Sequence, residues 1–512
     1  MNMLNPAPKF FLNTVLLLLA CTALGVQAAN VALSPVAGPP TTNLKVNGSG
    51  FPPSTLVDIF FDMDDRCLTL SNANGTFSCS FKVSKASEPG QYWITAISRS
   101  GITAAQRQFT VRTNWTDFRG GQRNQGYNPY ENVINKNNVE QLTERWQFTA
   151  GNAVASSPAV VNGVVYVGSY DGNVYAINAA TGVQKWAYPT GGIVGSSPAV
   201  ANGVVYIGSN EGKSLFALNA ATGVKKWAFP TGSHFVSSSP TVANGVVYVG
   251  TLDVNSSDGK VYAINATTGV QKWVYPMGAW VYSSPTVVNG LVYVGAYDGK
   301  LHALNAVTGV QKWASPTGNL IGSSPAVVNG VVYVGSTDHV PGTASNVYAF
   351  DAATGVQKWS FPTGDRIFSS PAVAKGVVYI ASDDGKIYAL DAATGAQKWV
   401  FPTSSDRFAS PPTVANDLVY IGSYYEPGPS YHLNKIYALD AATGAQKAAF
   451  PTGAETYGNP VVADGVLYFG TGDGLVRAYD LEPGNISTAS KANIRPDPRR
   501  LTPDYKLPLS GH

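Results

Sequence analysis

The stretch SSPAVVNGVVYVGSYDGNVYAINAATGVQKW, Ser156 to Trp186, reads as four short strands parted by turn residues. Ala159 to Val161 and Val164 to Gly168 flank Asn162-Gly163, a pair that takes positive φ readily and closes a two-residue hairpin. Asp171-Gly172 turns the chain into Val174 to Ile177, and Ala179-Ala180-Thr181-Gly182 leads into Gln184 to Tyr188, which Pro189 ends. These strands are named A, B, C and D. One module therefore predicts one antiparallel four-stranded unit.

Working outward, the module recurs to the end of residue 481, with Trp at 146, 186, 227, 273, 313, 359 and 399 and Ala448 in the next slot. Its period of 40 to 49 residues, built from strands, means a propeller rather than a helical solenoid. The A strands begin at Pro158, Pro198, Pro240, Pro285, Pro325, Pro371, Pro412 and Pro460, which makes eight. The eighth module lacks strand D, whereas an orphan D strand, Leu142 to Thr149, precedes the first. Pairing the two removes two exposed edges at once. The expected fold is all-β: an eight-bladed β-propeller over residues 142–481 with a small β-sandwich before it.

That sandwich is read from residues 30–111, where short alternating strands such as Thr55 to Phe61, Phe77 to Val83 and Tyr92 to Ile97 are broken by Gly, Pro and Asn turns. Residues 112–141 are a polar connector with seven Asn, and 482–512, with five Pro, read as a flexible tail. Residues 1–28 carry Lys9, an apolar run from Val15 to Val26 and a small-residue cleavage site at Ala28, the pattern of a signal peptide. Leu18-Leu19-Ala20-Cys21 competes as a lipobox, with Cys21 lipidated, and both processing routes stay open. Either route takes the chain out of the cytoplasm, to the periplasm, the outer membrane or the medium. In an oxidising compartment Cys67 and Cys79, facing each other across a hairpin around Asn74-Gly75, are expected to form a disulfide.

Composition removes several functions. With 34 basic and 31 acidic residues the chain lacks the positive excess that a nucleic-acid binder needs. Three Cys in all, none in a CxxC, CxxCH or Cys/His zinc spacing, exclude haem c attachment and structural zinc.

The string Ala176-x-Asn178-x-x-Thr181-Gly182-x-x-x-Trp186 resembles the tryptophan-docking motif of pyrroloquinoline-quinone-type propellers, and it recurs with Trp227, Trp273 and Trp313, and with Asp in the Asn position with Trp359 and Trp399. The resemblance implies that these indoles, and Trp146, pack between blades. The opening NWTDFRGG and NVEQLTERW are also similar to that family's opening segment, and GSGFPPSTLVDIFF (Gly48 to Phe61) with the closing QFTV resembles bacterial immunoglobulin-like domains. The propeller family holds both quinoprotein alcohol dehydrogenases and non-catalytic scaffolds of the BamB type. The dehydrogenases are similar to one another in an adjacent Cys pair beside the cofactor, which this propeller lacks.

Because strand direction alternates, the A-B and C-D turns lie at one end of the sheets and the B-C and D-A turns at the other. The first end repeats Asn-Gly and Ala-Ala-Thr-Gly almost unchanged. The second varies, and carries three long insertions, Leu252 to Asp258, Asp338 to Asn346 and Tyr424 to Asn434. A ligand or partner is expected at this variable end, on Phe235, Trp280, Tyr282, Phe368, Phe408 and Tyr457 with the charges of Asp365, Arg366, Asp406, Arg407 and Glu455. The two Asp-Arg pairs read either as a clamp for an anion or as an inter-blade salt bridge. Other motifs fail: Gly208 to Ser214 is one residue short of a P-loop, and Asp253-x-Asn255-x-Ser257 lacks the Gly and Glu of a calcium loop. His302 stands where most copies have Tyr and reads as packing, and no catalytic set assembles. The expectation is a non-catalytic binding or scaffold module for an envelope or extracellular protein or glycan, touching a membrane only through Cys21. No metal or cofactor is expected. The alternative is a quinoprotein alcohol dehydrogenase holding pyrroloquinoline quinone and calcium, with Asp365, Asp406 and Glu455 as the sole cluster to hold the ion.

Overall fold

A computed structural model describes residues 28–100, 103–338, 342–403, 406–424 and 434–482, with 496, 498 and 501. The export segment with Cys21, the middle of two insertions and most of the tail lie outside them.

Eight sheets of the module type follow one another, each in the order A, B, C, D. In the first, Ala159–Val161, Val164–Gly168, Asn173–Asn178 and Gln184–Pro189 pair antiparallel. The hairpin between A and B has positive φ at both Asn162 (52°) and Gly163 (75°), which is what two-residue turns of the favoured twist require. In the last sheet the D position is filled by Leu142–Thr149, which runs antiparallel to Leu475–Leu481 with Trp146 opposite Ala478. This is an all-β repeat fold of the propeller type.

Three repeated contacts join neighbouring sheets. The first is the indole: Nε1 of Trp146, Trp186, Trp227, Trp273, Trp313, Trp359 and Trp399 donates to an Ala carbonyl in the next module, at 2.9 to 3.3 Å. Each ring lies on the Gly that follows, so a Cβ on Gly223 would fall into Trp186. The second explains the Ser-Ser-Pro signature. Its first Ser binds its own strand B, as Ser156 does by donating to the Gly168 carbonyl at 3.0 Å. Its second Ser accepts the preceding module's amide: Ser157 N–H to Ser197 Oγ, Ser197 to Ser239, Ser239 to Ser284, Ser284 to Ser324 and Ser324 to Ser370, all at 2.8 or 2.9 Å. Pro411 interrupts the series, and Asn459 N–H resumes it on Ser157 Oγ at 2.9 Å. The third is apolar. Gly168, Gly208, Gly250, Gly295, Gly335 and Gly470 end strand B because Val194, Val236, Val281, Ile321, Ile367 and Val154 of the adjoining loop occupy the space a Cβ would take.

The connector proves to be a packing element. Its carbonyls accept the N–H groups along the free edges of strands A: Trp115 from Val160, Thr116 from Val200, Gln122 from Val287, Arg123 from Val327, Gln125 from Val373 and Gly126 from Val414. Further on, Ile134, Val139 and Leu142 join Tyr420, Phe450, Leu467 and Phe469 in one buried cluster, filling the joint where Ala448 replaces the Trp.

Before the connector, strands 30–34, 43–49 and 77–82 form one sheet and 37–38, 56–61, 64–70, 90–98 and 104–111 another, around a shared core that includes Phe61, Tyr92 and Phe109. Cys67 and Cys79 are disulfide-linked with Cα atoms 6.6 Å apart, but not across a hairpin. Cys67 pairs with Ile59 in one sheet and Cys79 with Val46 in the other, because the turn after Leu70 crosses between sheets. Within the tail read as flexible, the Pro496 carbonyl accepts from Gln106 Nε2 at 2.8 Å and Leu501 is buried.

Two tests follow from these contacts. Deleting Leu142–Thr149 strips one edge of Leu475–Leu481, and is expected to cause aggregation or a large drop in melting temperature; an unchanged melting curve with monomeric elution contradicts the pairing. Trp273→Ala removes a buried indole and its bond to Ala306, and should cost about 3–5 kcal/mol in urea unfolding.

Candidate functional site

At the variable end one register repeats through all eight sheets. The residue opening each B-C turn donates its N–H to a D-A loop carbonyl: Tyr170 to Ala153, Asn210 to Ile193, Leu252 to Phe235, Tyr297 to Trp280, Thr337 to Leu320, Asp383 to Arg366, Tyr424 to Arg407 and Gly472 to Glu455. With that bond fixed, D-A side chains alternate as in any extended segment. Phe235, Trp280, Arg366, Arg407 and Glu455 face outward, the next residue points into the joint, and the one after, Tyr282, Phe368 or Tyr457, faces outward again.

This phase corrects the expectation for Phe408. Asp365-Arg366-Ile367-Phe368 and Asp406-Arg407-Phe408 differ by one residue, so Phe408 aligns with Ile367, and both are fully buried. It contributes no surface.

The two aspartates do not form a cluster with Glu455 either. Asp365, 8% exposed, accepts from Gly342 N–H at 2.8 Å and from Arg366 N–H at 2.7 Å. Asp406, 6% exposed, accepts from the Tyr437 hydroxyl. Among the described residues no three His, Cys, Asp or Glu side chains gather as metal ligands.

Instead a partner that the sequence reading missed, Asp383, holds Arg366. Their Oδ2 and Nη2 stand 2.9 Å apart, an ion pair not aligned as a hydrogen bond, and the Asp383 side chain is fully buried. Asp383 opens the B-C turn of the sixth sheet, and Arg366 lies on the loop that leads into that sheet from the fifth. The link to the next sheet comes from Tyr424, whose hydroxyl donates to Asp383 Oδ1 at 3.0 Å. Burial pushes the Asp383 carboxyl up, against the opposing pull of the Tyr424 bond and of Arg366. Arg366 also lies over Phe368, 5.2 Å from the ring centre.

From this pair an arc of rings extends both ways. Tyr424 stacks near Tyr457 at 5.8 Å, and burial, Glu455 and Tyr170 together raise the Tyr457 hydroxyl. On the other side Phe368 and Tyr297 both approach Gly322, and Tyr297 meets Trp280 at 5.9 Å and Tyr282 at 5.0 Å. Tyr282, Tyr457 and Tyr170 are exposed. Phe235 stands apart from the arc, with Lys213 Nζ 5.7 Å from its ring.

Tyr170, Tyr297, Asp383 and Tyr424 were legible in one place only, the first residue of the B-C turn. Ser-Tyr-Asp-Gly and Ala-Tyr-Asp-Gly become Ser-Asp-Asp-Gly at Asp383, a charge where other copies have a ring. His302 is as expected a strand residue: its Nε2 lies 3.0 Å from Asp298, the place that the Tyr175 hydroxyl takes on Asp171.

Residues 133–252, 231–340, 343–428 and 407–488 match the family described as outer membrane protein assembly factor BamB. The chain belongs to this family. Among solved structures it is similar to BamB from Moraxella catarrhalis, at 19% identity and TM-score 0.54, covering 66% of this chain and 99% of that one. It is similar as well to quinohemoprotein alcohol dehydrogenases, from Pseudomonas putida at 18% identity and TM-score 0.57 (75% of this chain, 82% of that one) and from Comamonas testosteroni at 16% and 0.58 (78% and 82%). No curated protein sequence matches. At such identities the likeness of BamB and of the dehydrogenases to this chain is one of fold, which both share, and it leaves the choice between binding and catalysis to the side chains.

Removing Asp383 alone strands a buried cation, so Asp383→Leu is expected to cost about 3–5 kcal/mol, while Asp383→Leu with Arg366→Met should cost far less. Equal losses in chemical denaturation would deny the pair its role.

Proposed function

We propose that this member of the BamB family is an exported, non-catalytic binding module, an eight-bladed propeller that follows an N-terminal β-sandwich and engages an envelope or extracellular protein or glycan through its variable end. Ring closure is supported by the strand pairing of Leu142 with Leu481, by Asn459 N–H on Ser157 Oγ and by Val154 against Gly470. The location rests on the signal-like N-terminus and on the family's description as an outer membrane assembly factor. The one observation that carries the function is the arc from Trp280 to Tyr170: half-buried and exposed rings on a rigid register, braced by the Arg366-Asp383 pair. Tyrosine and tryptophan supply large contact area at small entropic cost, and the fixed backbone beneath them is already ordered before a partner arrives.

The second reading, a quinoprotein alcohol dehydrogenase, is favoured by the shared fold. A site for pyrroloquinoline quinone and calcium needs carboxylates free to converge on the ion. The residues here do not fit it: Asp365 and Asp406 are spent on separate bonds, Arg366 and Arg407 stand beside them, and Cys67 and Cys79 are paired with each other far along the chain.

Trp280, Arg366, Arg407 and Tyr457 replaced together by Ala should abolish binding of envelope proteins or glycans to the purified chain while its circular dichroism is kept. Retained binding would move the site elsewhere. Mixed with calcium and pyrroloquinoline quinone, the wild-type chain should reduce no dye with primary or secondary alcohols; substrate-dependent reduction lost on Asp365→Ala would favour the dehydrogenase.

A further inference from the structure

At the opposite, regular end of the sheets the connector leaves one gap. It caps the strand-A N–H of sheets one, two, four, five, six and seven with a backbone carbonyl, and at the eighth Asn128 Nδ2 instead donates to the Val462 carbonyl at 2.8 Å. The third sheet is passed over. Between Thr116 and Gln122 the chain folds into a turn, Gly120 N–H on the Asp117 carbonyl at 3.1 Å and Gly121 N–H on the Asp117 carboxylate, and Arg119 at its tip reaches the Pro371 carbonyl in sheet six.

The residue left uncovered is Val242. Its equivalents Val160, Val200, Val287, Val327, Val373, Val414 and Val462 are all buried, whereas Val242 is half-buried. In the hairpin around Asn244-Gly245 the bonded pair is Ala243 with Val246, so the N–H and C=O of Val242 turn away from strand B. Among the described residues no acceptor meets that N–H. Beside it opens a cavity of about 1010 Å³ lined by Val242, Thr116, Asp117, Gln122, Lys185 and Lys226.

We propose that this cavity binds an extended peptide, which adds a strand to the edge at Val242 and sets a basic side chain against Asp117. At six equivalent edges the group that satisfies the strand-A N–H is a backbone carbonyl of a passing chain, so the edge of the third sheet is shaped for the same chemistry. Asp117 adds the charge. Its side chain is 7% exposed, and no cation among the described residues pairs with it. Burial lifts its carboxyl to about 7, the mark of an anion held without a counter-charge. A lysine or arginine of the guest supplies that charge, and Lys185 and Lys226, farther along the lining, favour acidic residues next in the guest. The site is distinct from the arc at the variable end, and does not depend on it.

The test uses the full chain, immobilised, and a phage-displayed random heptapeptide library. Enriched heptapeptides are expected to share a Lys or Arg and, added to the wild-type protein, to slow amide exchange in the segment containing 241–243. Asp117→Asn, which keeps an acceptor for Gly121, and Val242→Pro, which removes only the outward N–H, should each weaken binding at least tenfold; Trp280→Ala should leave it within twofold. If a substituted chain fails to fold, the exchange measurement on the wild type decides. No enrichment, protection confined to the variable end, or undiminished binding by folded Asp117→Asn would each overturn the proposal.

Discussion

Seven of the eight sheets of the repeat are held by an indole reaching into the next. Trp186 illustrates the constraint: its Nε1 donates to the Ala220 carbonyl, the Tyr166 hydroxyl donates to the same carbonyl, and its ring covers Gly223. A ring that size fills the wedge between two twisted sheets, while its single polar atom is satisfied at the far side, so burial carries no hydrogen-bond penalty. The Asn and Thr of the motif serve this contact by tightening the turn that presents the carbonyl, with Asn178 Oδ1 accepting from Ala180 and Thr181. Where the contact is absent the consequences are local and visible. Ala448 leaves the seventh joint without an indole, the eighth module offers no Ala-x-Thr-Gly turn, and the Tyr420 hydroxyl stays buried with no partner. Glu131 then holds the connector in that joint by accepting from the Val133, Ile134 and Gly465 amides, which lets Ile134 and Leu142 pack where the Trp would be.

The repeat was legible because its contacts are the same in every copy. Asn-Gly, Ser-Ser-Pro, the strand-ending Gly and the Trp each answer a requirement that recurs, and recurrence is what a single sequence displays. What occurs once was hidden. The phase of Phe408 depends on a one-residue difference between two D-A loops, invisible until the backbone bond from Tyr424 to Arg407 fixes which side chain turns inward. Asp383 lies seventeen positions from Arg366, and nothing in spacing alone pairs a B-C turn with the loop that enters its sheet from the one before. The connector was hidden for a different reason. Its backbone carbonyls accept from strands 45 to 288 positions away, so its side chains show no periodicity, although Trp115 and Arg119 are among the most buried residues described. The disulfide partners were identified, but the chain's passage between two sheets at residues 71–76 was mistaken for a hairpin because a turn signal does not say which strands it joins.

These constraints also locate the freedom of the molecule. Inward positions of the joints are occupied by the indoles, serines and aliphatic residues that hold neighbours together, and the A-B and C-D turns are tied to backbone geometry. The outward D-A positions and the first residue of each B-C turn take no part in those repeated contacts, and there the chain places its rings and one guanidinium-carboxylate pair. A buried pair of this kind contributes little net stability. Its effect is orientation: it fixes Arg366 beneath Phe368 and anchors Tyr424 from the neighbouring sheet, so the rings on either side are presented from a common support rather than from independent loops.

The connector imposes an asymmetry that identical modules cannot supply. A chain that crosses the free edges of strands A must turn somewhere, and the residues that let it turn, Gly120 and Gly121 with φ of 76° and 129°, sit between its bonds to sheets two and four. The turn sends Arg119 into full burial against sheet six and leaves Asp117 behind it, near the edge that the chain skips. Two charges of opposite sign are thereby buried apart, burial lowering the guanidinium to about 9 and raising the carboxyl to about 7. Separating them costs more than pairing them would. A fold made only for stability would have let them meet or replaced both, so at this turn, as at the Arg366-Asp383 pair, the sequence specifies position rather than packing.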